Sequence, residues 1–163
     1  MKTRYLKNGR MLNSFTKYAS YLEPSEVRRI IEAAKDEKHH ERTLLLWLGL
    51  RSGARLNELL LLKTEDAWDG YVPVWCDDDG EVSFRPVCKD RRELEWLRSQ
   101  LEYYRPGEMV FGIKARSADN WIRTICKRAG IEIAGLDGYA AVVRPYERRK
   151  QEIVNEQTRN LFI

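Results

Sequence analysis

Eight consecutive residues, Thr43 to Leu50, read Thr-Leu-Leu-Leu-Trp-Leu-Gly-Leu. Wound into a helix, this run is apolar around nearly its whole circumference, and such a helix is stable only inside a core. The remaining chain must therefore surround it. Ser52-Gly53 ends the run, glycine being the residue that most easily takes the left-handed turn after a helix. At 163 residues the chain is long enough to bury such a core and predicts one domain with a small arm.

The flanking elements follow from periodicity. Pro24 suits a first helical position, and Val27, Ile30, Ile31 and Ala34 then repeat at helical spacing. The stretch from Lys35 to Glu41 reads as a solvated helix end and connection, with His39 and His40 as surface residues. A helix is expected from about Arg55 to Lys63, offering Leu56, Leu59, Leu60 and Leu62 to the core. The period then falls to two. Val72, Val74 and Cys76 alternate with Tyr71, Pro73 and Trp75, and Asp79-Gly80 separates this run from Glu81 to Val87, a hairpin signal. The consecutive aspartates Asp77 to Asp79 are explained by the turn, and no metal is expected. Arg91 to Tyr104 reads as a helix striped by Leu94, Leu97 and Leu101. Met109 to Phe111 is a short buried run. A helix over 117–130 is expected, capped by Ser117 and closed by Gly130, with Arg123, Lys127 and Arg128 on its polar face. Pro145 breaks or opens a helix, and 146–163 is basic and helix-like. The fold class is therefore α+β, mainly helical, with a small antiparallel hairpin.

Charge is unevenly spread. Residues 1–20 carry Lys2, Arg4, Lys7, Arg10 and Lys17 and no acid, and residues 141–163 carry five bases against three acids. A basic arm and a basic end on a slightly acidic body predict contact with a polyanion. Residues 1–20 lack periodicity and read as a basic arm or linker in which aromatic residues are mixed with bases. No apolar run approaches the roughly 20 residues of a membrane span. The cysteines Cys76, Cys88 and Cys126 are odd in number and form no CxxC pair, so reduced thiols in an intracellular protein are expected.

Arg55 enters the expected helix directly after Ser52-Gly53. A helix start presents unpaired N–H groups and partial positive charge, so an arginine there predicts a phosphate site. The plainer reading is a cap followed by an ordinary amphipathic helix.

In order and spacing these parts resemble the catalytic domain of the tyrosine recombinases, the phage and archaeal integrase family. The likeness begins at Tyr21-Leu-Glu-Pro-Ser-Glu and runs through the leucine-rich helix into Leu50-Arg-Ser-Gly-Ala-Arg-Leu-Asn-Glu-Leu59, which is similar to the family's first arginine box. Lys63-Thr-Glu-Asp66 resembles the segment before the family's hairpin, and Arg85-Pro-Val87 resembles its end. Phe111 to Gly130 resembles the helix before the second box. The likeness covers about 21–145.

The resemblance implies that Arg55 and Arg144 grip a DNA phosphate, preorganised cations being what a developing phosphoryl charge requires. It also implies that a tyrosine attacks phosphorus. Arg144 matches the second arginine in Ala141-Val-Val-Arg144, where the family's pattern is His-x-x-Arg and Ala141 holds the histidine position. Glu58 matches the box-one glutamate and is expected to pair with a neighbouring base. The hairpin lysine has no match, and Lys89 is a weak substitute. Tyr146 is the one tyrosine among the 19 residues after Arg144, two positions beyond it.

The expectation is an integrase-like core over 21–163, truncated at its C-terminal end, from a virus or other mobile element. It would bind double-stranded DNA through Lys2, Arg4, Arg55, Arg123, Lys127, Arg128, Arg144, Arg148 and Arg149, without cofactor and without strand cleavage of its own. The alternatives are an active recombinase using Tyr146, or a tyrosine supplied in trans, and a small helical interaction module docking through Leu161-Phe-Ile163. A homo-oligomer or association with a full-length integrase through that tail is compatible with the DNA-binding readings. The location expected is cytoplasmic or nucleoid-associated.

Overall fold

The computed structural model describes residues 22–75, 80–133 and 138–163, Leu161 by its backbone only, together with the backbone of two short strands, β1 (Thr3–Tyr5) and β2 (Met11–Asn13). These two strands pair antiparallel, within the stretch expected to be an arm or linker. Lys2, the Arg4 side chain and Cys76 to Asp79 lie outside the described residues.

α1 (Pro24–Ala34) buries the four residues its period predicts, Val27, Ile30, Ile31 and Ala34. Pro24 opens it, and the Glu23 N–H donates to the Glu26 carboxylate at 2.9 Å. α2 (His40–Ser52) is the central helix: Leu44 to Ser52 are all buried, and Gly53 closes it at φ 67°. α1 and α2 both pack against α8 (Arg148–Phe162).

Between α2 and α8 in the chain lie the remaining elements. α3 (Leu56–Leu60) is shorter than expected and is followed by an unanticipated single turn, α4 (Thr64–Trp68). The reason is tertiary. Val110 N–H donates to the Leu62 carbonyl at 3.0 Å and Thr64 N–H to the Glu108 carbonyl at 2.9 Å. Those bonds use the backbone groups that a longer α3 would need, and Leu62 is buried beyond the helix end. β3 (Tyr71–Trp75) and β4 (Val82–Pro86) form the expected hairpin, in the register Val72↔Arg85 and Val74↔Ser83. Val72 and Val74 face the body, whereas Val82 and Phe84 lie outward, more than 40% exposed. α5 (Arg91–Leu101) stops three residues before the expected end and is capped by Asp90, whose carboxylate accepts the Glu93 N–H. α6 (Ala115–Arg128) begins two residues before Ser117, with Lys114 at the cap position. The Ala118 N–H already donates to the Lys114 carbonyl at 3.0 Å, so Ser117 sits inside the first turn. α7 (Gly138–Val142) leads to Arg144, and Pro145 separates it from α8. Phe162 and Ile163 pack on the chain's own core.

One buried ion pair fastens α2, α5 and α8 together. Arg51 grips Glu93 through both nitrogens of its fork, at 2.6 and 2.8 Å, and donates to Thr158 Oγ1 and to the Asn155 and Val87 carbonyls. Burial alone would raise the Glu93 pKa. The hydrogen bonds from Arg51 and the Lys89 N–H and the charges of Arg51 and Arg159 outweigh it, leaving the carboxyl below 4.5. A carboxyl depressed in the folded state contributes stability above its unfolded pKa and loses it as pH falls through the folded value. Chemical denaturation should therefore show stability declining below about pH 4.5. Glu93→Gln, though weaker at neutral pH, should flatten that decline. An equally steep acid limb in the variant would assign acid sensitivity elsewhere.

Candidate nucleic-acid interface

The turn that follows α2 is held from several directions. Ser52 Oγ accepts from the Ala54 N–H at 3.1 Å and donates to the Leu48 carbonyl at 2.7 Å. The Tyr139 hydroxyl, from α7, donates to the Ala54 carbonyl at 2.6 Å. Glu58, buried in α3, accepts from the Arg55 N–H at 2.8 Å and the Trp75 N–H at 2.5 Å. Its partners are therefore two backbone groups and not the neighbouring base expected, and it ties the hairpin end to the Arg55 turn. Arg85, from β4, donates to the Ser52 carbonyl at 2.7 Å.

Gly53 closes the arrangement. A Cβ placed there would stand 2.9 Å from Pro145 N and 3.0 Å from its Cα. This backbone approach sets the Arg55 turn directly against Arg144-Pro145, far apart in sequence. Gly53→Ala adds a side chain both at positive φ and into backbone, so it should destabilise the fold by about 1–3 kcal/mol. A variant melting like the parent would show that this approach is not needed.

The result is a cleft of about 800 Å³. Arg55, Arg85, Arg116 and Arg144 all line it, with Glu58, Trp75, Asp119 and Tyr139 among its other walls. Arg55 and Arg116 are exposed, Arg85 is half-buried, and Arg144 is only 3% exposed. The acids are engaged: Glu58 as described, and Asp119 by Arg123 Nε at 3.0 Å and the Tyr139 N–H at 2.9 Å. Such a lining suits a phosphate, since arginine forks match its oxygens.

Arg55 does not sit at a helix start that could hold a phosphate. α3 has five residues, and the Arg55 N–H is already given to Glu58. The attraction to an anion has to come from the converging side chains. Arg123, Lys127, Arg128, Arg148 and Arg149 are exposed outside the cleft lining, Arg123 paired with Asp119 and Arg148 with Glu152. Lys89 also lies outside it. Tyr146 is not among the lining residues; its hydroxyl donates to the Leu22 carbonyl at 3.3 Å. Tyr139 does line the cleft, but burial, with the nearby Glu58 charge, pushes its phenol well above 10.

Arg85 and Arg116 are cleft residues that sequence reasoning misses. For Arg85 a signal exists: strand alternation places it opposite Val72, on the side facing the body. For Arg116 the signal is hidden, because the residue falls ahead of the helix start that Ser117 suggests. The thiols of Cys88 and Cys126 are pushed up by burial to about 11 and about 12. Among the described residues no cluster of metal-ligating side chains occurs, and no helix is long and apolar enough to cross a membrane.

Two solved structures share this architecture. Lambda integrase, solved as a dimer bound to a COC′ core site, matches with a TM-score of 0.58 at 18% identity, over 85% of this chain and 56% of its own. XerA recombinase matches with a TM-score of 0.50 at 17% identity, over 87% of this chain and 62% of its own. The chain thus has the fold of a tyrosine recombinase catalytic domain while spanning 56% and 62% of those two chains. No family model and no curated protein matches the sequence.

Proposed function

We propose that this chain is an integrase-like DNA-binding protein of a virus or mobile element that grips a backbone phosphate of duplex DNA between Arg55 and Arg144 and does not cleave the strand. The observation that carries this reading is the shared cleft, in which two arginines from distant segments join Arg85 and Arg116. Arg85 stands on the hairpin, the element in which the family's assisting lysine has no match in this chain. The exposed bases Arg123, Lys127, Arg128, Arg148 and Arg149, with Lys2 and Arg4 of the basic arm, would engage flanking phosphates. Such contacts give affinity with little sequence preference.

The absence of cleavage rests on the tyrosines. Tyr139 is buried with its hydroxyl committed to the Ala54 carbonyl, and Tyr146 directs its hydroxyl toward Leu22. Neither presents a phenol suited to attacking a phosphorus held in the cleft.

Fluorescence anisotropy with a labelled duplex at two salt concentrations tests binding. Affinity should fall at least about tenfold between about 50 and 200 mM salt, because each neutralised phosphate releases counterions. No binding at low salt would favour the interaction-module reading. A suicide substrate that traps a cleaved strand tests the second clause. No covalent protein–DNA band is expected, and a band lost in Tyr146→Phe would make the chain an active recombinase.

A further inference from the structure

Tyr146 lies two residues beyond Arg144, and its ring sits under that arginine's guanidinium, Cζ to centroid 4.7 Å. A guanidinium is planar, with all five N–H donors in its plane. A ring against one face of the group does not use those in-plane donors. Arg144 lines the cleft and Tyr146 does not, so the ring supports the arginine from outside the lining.

The ring is itself fixed. Its hydroxyl reaches the carbonyl of Leu22, a buried residue just ahead of α1. One turn along α8, Lys150 pairs with Glu23 at 3.2 Å, and Glu147 caps the helix by accepting the Lys150 N–H at 3.0 Å. Pro145, between the two residues, restricts the backbone and rests against Gly53. An arginine side chain ordinarily loses much rotamer freedom when it binds an anion. A ring held at both ends removes that freedom beforehand.

We propose that Tyr146 is a positioning residue for Arg144, a stacking platform that holds the guanidinium edge toward the cleft, and not the nucleophile that its place in the sequence invites. This rests on the reading of Arg144 as a phosphate-binding residue. It requires the aromatic face and not the hydroxyl.

Anisotropy titration of a labelled duplex of about 20 base pairs with the full chain discriminates these roles. Tyr146→Phe should bind within about twofold of the parent, because the stacking face remains. Tyr146→Leu keeps an apolar side chain but no π face. It should bind about fivefold more weakly, with a salt slope shallower by about one unit, as expected when one phosphate is no longer neutralised. It should add little to Arg144→Ala in the double variant, since both act on the same phosphate. Thermal melting of each variant identifies any that does not fold, and the Phe and Leu variants give two independent comparisons with the parent. Tyr146→Leu binding like the parent, Tyr146→Phe as weak as Tyr146→Leu, or full additivity with Arg144→Ala would each overturn the proposal. Arg144→Ala binding like the parent is the separate result that removes the phosphate reading underneath it.

Discussion

Arg51→Met is expected to destabilise the fold by about 3–5 kcal/mol, the range for removing one partner of a buried ion pair. The Arg51 and Glu93 side chains are 3% and 0% exposed. Methionine fills much of the arginine's space, so the change in volume is a minor part of the effect. What remains is a carboxylate away from water, retaining the Lys89 N–H at 2.7 Å and a longer approach to Arg159 at 3.4 Å. Thr158 Oγ1 and the Asn155 and Val87 carbonyls lose a donor at the same time. Natural domains are stable by only about 5–15 kcal/mol, so the variant should lie near the edge of folding. The double variant Arg51→Met with Glu93→Leu should recover a large part of the stability, because it removes the stranded charge as well. Urea denaturation of both measures this. A destabilisation below about 1 kcal/mol in the single variant would mean that water reaches Glu93 freely.

Arg55→Ala with Arg144→Ala is expected to weaken duplex binding by about 1–3 kcal/mol, the range for charge-assisted hydrogen bonds, with a shallower salt dependence. The two positions differ in a way that makes the single variants informative. Arg55 is exposed, so its removal should alter binding and leave stability nearly intact. Arg144 is buried against Tyr146, so its removal should affect both. Equal affinity and salt slope in parent and double variant would remove both arginines from the interface. Weaker affinity with an unchanged slope would point to a misshapen cleft and not to a missing phosphate partner.

Much of the scaffold can be read from local patterns. An apolar run with no polar face becomes the central helix α2, and Gly53 stops it. The buried residues of α1 are those that helical spacing selects. Alternation sets the pairing face of β3, where Val72 and Val74 turn inward. These features depend on backbone geometry within a turn or two, and the residue order carries that geometry directly. The helix ends are less legible. α3 stops early because residues near 108–110 take its backbone partners, and α6 starts early because Ala118 closes a turn over Ser117. The first of these is decided by groups far outside the local window, the second by a turn that competes with the serine cap.

The resemblance to integrases picks out Arg55 and Arg144 separately. Tertiary structure alone brings them to one cleft, through the approach of Gly53 to Pro145 and the Tyr139 bond to Ala54. It alone adds Arg85 and Arg116, turns Glu58 toward two backbone N–H groups, and slides Tyr146 under Arg144. The physical reason is range. Periodicity and turn chemistry act over a few residues, whereas a cleft is defined by atoms that meet only after the chain has collapsed around α2.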